Sequence, residues 1–172
     1  MRPFLRDTIA DAAQLDLEEL EDQFDRAFAA ADHRELMRIY GAIGELTRIN
    51  GRDGRPMIEQ ALELARDLND RVGIIGNRIR LATAHFYQGE HAFAEMELRE
   101  IIAEIEAGSD TTYLDHAWQH LGKCIAEQER YGEAISCFER ARLLRGDDAP
   151  LRASSQHAID AARRRMGSAA DA

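Results

Sequence analysis

The chain echoes itself. Aligned on itself with a shift of forty residues, Ala42, Ala82, Gly122 and Ala162 fall in one column. Around them stand "RIYGAIGEL", "RIRLATAHF", "WQHLGKCIA" and "AIDAARRRM". A second column holds Ile58, Leu98 and Phe138, and a third holds Ala61, Ile101 and Ala141. The logic is physical. A small residue in one helix lets the next helix come close, and apolar residues three and four apart fill the contact. Each pair then keeps an apolar face that it cannot bury alone, so it must stack on a neighbour. Few other patterns narrow the possible folds as much as a supersecondary unit repeated along a chain.

The punctuation agrees. "NGRDGRP" (50–56), "QGEHA" (88–92) and "ERYGEA" break the helices within successive pairs, and Pro56 sits where a helix can begin. "LNDRVG" and "EAGSDTT" separate one pair from the next. Helices are expected at about 16–30, 33–49, 56–69, 73–88, 91–106, 112–128, 131–144 and 150–166, with a further short one near 4–13. Only three prolines occur in 172 residues, and no stretch alternates with period two for long enough to build a sheet. The expected class is all-α. Residues 1–32 form an acidic N-terminal segment or cap, 33–166 hold repeats at about 35–74, 75–114 and 115–154, a terminal helix caps the stack at 150–166, and 167–172 form a disordered tail.

The third copy carries a specific pattern. Trp118, Leu121 and Gly122 are followed by Tyr131 in the turn, then by Ala134, Phe138 and Ala141. This resembles the tetratricopeptide repeat, whose signature is W-x2-L-G-x2-Y, then A-x3-F-x2-A, then P. Ile125 replaces the second aromatic residue, and Gly146 stands where the proline would be. The second copy is weaker, with Leu81, Ala82, Gly89, Ala94, Leu98 and Ile101. The first keeps Ala42, Ile58 and Ala61 but has Gly41 and Gly54 in places that read as unfavourable. A period of 40 is similar to the longer-helix subtype found in kinesin light chains and bacterial peptide-pheromone receptors. The resemblance covers about residues 33–166. It implies a superhelix of stacked antiparallel helix pairs, no catalytic residues, and a concave groove that takes a peptide or helix.

Helix geometry locates the groove in this sequence. At about 100° per residue, one stripe of each first helix lies opposite its core face. The stripe holds Tyr40, then Arg80, Thr83 and Tyr87, then His116, His120 and Lys123, then Arg163. Cationic and aromatic side chains together favour an acidic or carboxylate-bearing peptide.

Charge bounds the partners. Thirty-two acids against 22 bases leave a net charge of −10. This disfavours nucleic acid, which is held by neutralising phosphates, and anionic membrane surfaces. The N-terminal "MRPFLRDTIADAAQLDLEEL" lacks the apolar run of a signal peptide, so the expected setting is cytoplasmic. Cys124 and Cys137 are expected to be buried free thiols. His116 and His120 in "HAWQH" have a spacing able to hold zinc, but no third ligand is fixed, and a solvated pair is the preferred reading. No metal or other cofactor is expected. "GRDGRP" reads as a hairpin turn, because it lacks the strand–loop–helix setting of a phosphate loop.

The expected function is therefore a non-catalytic protein- or peptide-binding module, with an acidic segment favoured. One alternative is self-assembly, as a homodimer or larger homo-oligomer, through the N-terminal helix or the groove. Residues 11–25 hold seven acids and no base, with Leu17, Leu20, Phe24 and Phe28 at helical spacing. Another alternative is a sensor of a peptide or small ligand.

Overall fold

A computed structural model describes residues 17–170. Among them the chain forms eight helices and no strand: α1 (Leu17–Ala29), α2 (His33–Ile49), α3 (Arg55–Asp67), α4 (Arg71–Tyr87), α5 (His91–Glu106), α6 (Leu114–Glu127), α7 (Tyr131–Leu144) and α8 (Ala149–Ala170). The all-α class holds. The short helix expected near 4–13 lies outside the described residues.

The described residues fall into two compact units. One contains α1 to α4 and ends at Tyr87, and the other starts at Gln88 and contains α5 to α8. The division falls inside the second expected repeat, 75–114, between its two helices. Within the first unit α2 packs on α1, α3 and α4. Within the second, each helix packs on the next along the chain.

Local signals set the helix ends. Asp32 caps α2 by accepting the Glu35 N–H at 3.0 Å. Asp70 accepts the Gly73 N–H at 2.9 Å, which starts α4 at Arg71, two residues before the expected 73. Asp110 gathers the N–H and hydroxyl of Thr112 at 2.9 and 2.6 Å. That turn delays α6 to Leu114, where 112 was expected. Asp148 accepts the Leu151 N–H at 3.0 Å at the head of α8. α8 continues four residues past the expected end at Met166, through Gly167 in spite of its low helix propensity, and Ser168 Oγ donates to the Arg164 carbonyl at 3.0 Å.

The joints are built alike. Between successive described helices stands one residue of positive φ: Ala31 (50°), Gly51 (76°), Asn69 (51°), Gly89 (86°), Tyr113 (68°), Glu129 (61°) and Gly146 (50°). At four of them the next N–H reaches the carbonyl five residues back: Asp32 to Ala27, Arg52 to Thr47, Asp70 to Ala65, and Arg130 to Ile125. A left-handed residue with this return bond ends a helix and satisfies its orphan carbonyls.

The repeat columns form the core. Ile58, Leu98 and Phe138 are fully buried, and so are Ala61, Ile101 and Ala141. Gly122 lies against Phe138, and a Cβ there would stand 2.5 Å from the ring. In the first pair Ala42 is only half-buried, and Gly44 supplies the close contact instead. A Cβ on Gly44 would stand 2.6 Å from Ile58, and one on Gly54 would lie 1.9 Å from the Gly44 carbonyl oxygen. The expectation that Gly54 is unfavourable is therefore corrected. Only glycine lets the start of α3 touch α2 backbone to backbone.

Candidate functional site

In the first unit, the exposed side of α2 and α4 is organised by a glycine. Gly41 has no Cβ, and Arg80 of α4 lies in the space, with Nη1 3.0 Å from where a Cβ would stand. An added Cβ at Gly41 would make the Arg80 and Asn77 side chains give by a few tenths of an ångström, so the glycine lets the Arg80 guanidinium lie close over α2. Arg80 Nη1 donates to Asn77 Oδ1 at 2.9 Å, and its Nε lies 3.5 Å from Glu45 Oε2. Glu45 also pairs with Arg48 at 3.3 Å. The Arg48 guanidinium stacks 4.4 Å over the Tyr87 ring. Glu45 thus lies between two guanidiniums: Arg80 is part-exposed, while the Arg48 side chain is only 7% exposed and packs against the Tyr87 ring.

Tyr40 is half-buried, and its ring meets Phe24 of α1 edge-on at 5.4 Å. Thr83 was expected on the open face but is buried, 4% exposed. Its hydroxyl donates to the Ile79 carbonyl at 2.7 Å, so it is spent within its own helix.

In the second unit the polar chemistry lies mostly inside. Arg145, just past α7, is 8% exposed. Its Nε donates to Asp115 at 3.0 Å, and its Nη1 donates to the Leu151 carbonyl at 2.7 Å and to Ser155 Oγ at 2.8 Å. Ser155 Oγ donates in turn to Gln119 Oε1 at 2.8 Å. This network ties α6, the end of α7 and α8 together. Its cation and its Gln119 and Ser155 groups are buried and hydrogen-bonded, as buried polar groups must be. His116 Nδ1 lies 2.9 Å from the other oxygen of Asp115. Burial alone would raise the Asp115 carboxyl, but the His116 bond and charge, and then Arg145, outweigh it and hold it down at about 2.

Lys123 was expected to line the open face, yet it is 7% exposed. Burial, and then the charge of Arg145, push its ammonium down to about 8, with Cys124 opposing weakly. His116 and His120 are half-exposed. Arg163 is exposed but turns toward α7, 3.3 Å from Glu139. The structure thus brings Arg80 and Tyr87 near a shared carboxylate and arginine, sets His116 on Asp115, and removes Thr83 and Lys123 from solvent.

Sequence reasoning missed Glu45, Arg48, Asn77 and Arg145. The first three lie on helices where the stripe reading looked only at other positions. Arg145 sits at a helix end and resembles an ordinary surface arginine.

Cys124 and Cys137 are free and buried. Burial first, and then nearby carboxylates, push their thiols up to about 12 and 11. Among the described residues no group of three His, Cys, Asp or Glu side chains is placed to hold a metal ion. No described helix is long and apolar enough to cross a membrane.

No family model and no curated protein matches the chain. Solved structures do. A crystal structure from Podosopora anserina, described as a putative kinesin light chain with nearly identical TPR-like repeats, superposes with a TM-score of 0.59 at 17% identity. The match covers 88% of this chain and 77% of that one. A second crystal structure of that protein, carrying a substitution, gives 0.60 over the same shares at the same identity. At that identity the likeness establishes the fold: a TPR-like stack of helix pairs.

Proposed function

We propose that the protein is a non-catalytic module that binds a protein or peptide segment through the exposed side of its first helices, and that it belongs to the longer-period kind of TPR-like repeat. One observation carries the reading. On α2 and α4, Arg80 reaches over Gly41 to Glu45, with Arg48 and Tyr87 beside it. The Arg80 and Glu45 side chains are 39% and 37% exposed, so both stay within reach of an incoming chain. An acidic side chain or terminal carboxylate replaces Glu45 as the partner of Arg80 and forms a charge-assisted pair. Tyr87 offers an aromatic edge for an apolar neighbour. In the second unit, His116 and His120 supply the corresponding positions. Burial keeps the Cys124 and Cys137 thiols protonated, so neither is offered as a nucleophile. The expected setting is the cytoplasm.

The test is a peptide array of matched acidic, neutral and basic sequences, probed with the wild-type protein and with Arg80→Glu. Acidic peptides are expected to be retained preferentially, and the substitution to weaken them at least tenfold, with added salt weakening them further. Retention that ignores peptide charge and the substitution alike refutes the acidic-segment reading.

A further inference from the structure

We propose that copies of this chain associate head to tail, the acidic aromatic side of α1 in one copy docking on the basic, methionine-bearing end of α8 in the next. This goes beyond the partner-binding reading and uses neither of its faces.

The first surface is on α1. Phe28 is 70% exposed. Its ring stacks on Phe24 at 6.0 Å, and Phe24 meets Tyr40 edge-on at 5.4 Å. An aromatic row thus runs from the core to solvent and ends in an uncovered ring. At about 100° per residue, Glu21 and Asp25 fall on the same side of α1 as Phe28, and both are exposed. The side that carries the open ring is therefore acidic.

The second surface is at the end of α8. Met166 is 47% exposed. It lines a notch of about 380 Å³ together with Glu129, Arg130, Tyr131, Gly132 and Glu133. The exposed Arg164 and Arg165 flank it along the helix, with Arg163 one residue further back. Arg130 and Arg99 both pair with Glu133 and Glu95, so two cations offset two acids at the notch wall. The remaining acids nearby, Glu129 and Glu139, are outnumbered by the α8 arginines.

Complementarity of charge selects a second copy as the occupant. A chain of net charge −10 concentrates a run of arginines beside an open thioether, and elsewhere presents acids beside an open phenyl ring. A ring packed on a methionine sulfur is a favourable contact in its own right, and the notch has room for it. The two surfaces are unlike, so the contact is heterologous. A pair closes when the contact is made reciprocally, and a row of copies grows when it is not. A contact of one helix side on one notch is small, which places it among weak, concentration-dependent interfaces.

The experiment is sedimentation velocity on the full chain from about 10 µM to about 1 mM, a range suited to weak contacts. Three variants accompany the wild type: Phe28→Ser, Glu21→Arg with Asp25→Arg, and Arg164→Glu with Arg165→Glu. All change exposed side chains, and circular dichroism checks that each remains helical. The wild type is expected to grow in mean mass with concentration. Each variant alone is expected to remain monomeric. The equimolar mixture of the two charge-reversed variants is expected to associate again, because each supplies the surface that the other lacks. A wild type that stays monomeric throughout overturns the proposal. So does an assembly that survives both charge reversals, or a mixture that fails to associate. None of these outcomes touches Arg80, so peptide binding is judged separately.

Discussion

Replacing Lys123 with methionine is expected to stabilise the protein at neutral pH, although it removes the chain's only lysine. The ammonium is buried and held at about 8, where an ordinary lysine stands at 10.5. That gap corresponds to a charge-burial penalty of about 3 kcal/mol at pH 7. Methionine keeps the length and apolar stem but loses the contacts the amine makes, so the expected net gain is about 1–3 kcal/mol.

The pH dependence carries a sign. Below about pH 8 the lysine is protonated in both states, and the penalty is complete. Between about 8 and 10.5 the folded protein gives up its proton before the unfolded chain does. The unfolded state then holds more protons, so wild-type stability rises with pH relative to the variant. Above 10.5 both states are neutral, and only the difference in packing and contacts remains. Cys124 and Cys137, raised to about 12 and 11, act in the opposite direction above pH 9. Cys137 cancels in the difference, whereas Cys124 loses the Lys123 charge that lowers it and is raised further in the variant.

Urea unfolding followed through Trp118 fluorescence at pH 7, 9 and 10.5 gives the difference curve. Because there is one lysine, a sample labelled at lysine Cε shows a single side-chain NMR signal, whose titration reads the folded-state value directly. A signal that titrates near 10.5, or a variant less stable than wild type at pH 7, refutes the argument.

Other consequences are more local. Asp115→Asn is expected to cost about 2 kcal/mol at pH 7. In the wild type this contribution is present above the ordinary carboxylate value of 3.8 and fades as pH falls toward about 2, so the acid limbs of the two stability curves should converge there. Gly122→Ala pushes a methyl into the Phe138 ring, at about 1–3 kcal/mol of overpacking against about 1 kcal/mol of helix propensity gained. Adding Phe138→Leu should bring the two changes below additivity in a double-mutant cycle measured by thermal melts. Glu129→Gly, at a φ of 61°, should raise stability by about 1 kcal/mol by relieving the left-handed conformation; a loss in urea unfolding would count against strain at that joint.

Spacing made the core legible. The columns of Ile58, Leu98 and Phe138, and of Ala61, Ile101 and Ala141, are buried as the forty-residue echo requires, because burial of a repeat's inner face follows from periodicity alone. The open faces were harder. A helical stripe says which side of a helix lies away from its partner, but not what other elements bring there. Thr83 and Lys123 fall on the stripe and are nevertheless buried. Arg145 meets Gln119 and Ser155 from 26 and 10 residues away, and no local pattern announces such a meeting. Gly41 and Gly54 show the same limit from the other side. Weak helix formers look like faults until the atoms occupying their missing side-chain space are known.

The way helices pair within each unit bears on how the chain is made. In the second unit every helix from α6 onward finds its packing partner in the helix just before it, across a joint only a few residues long. In the first unit the same holds, with α2 also meeting α4. On a ribosome that adds residues at about 5–20 per second, a helix leaving the exit tunnel meets a waiting surface at once rather than one still untranslated. Sticky faces such as the one carrying Phe138 are then covered within seconds of synthesis. The order of synthesis becomes the order of assembly, and a nascent chain halted between helices holds finished pairs rather than fragments.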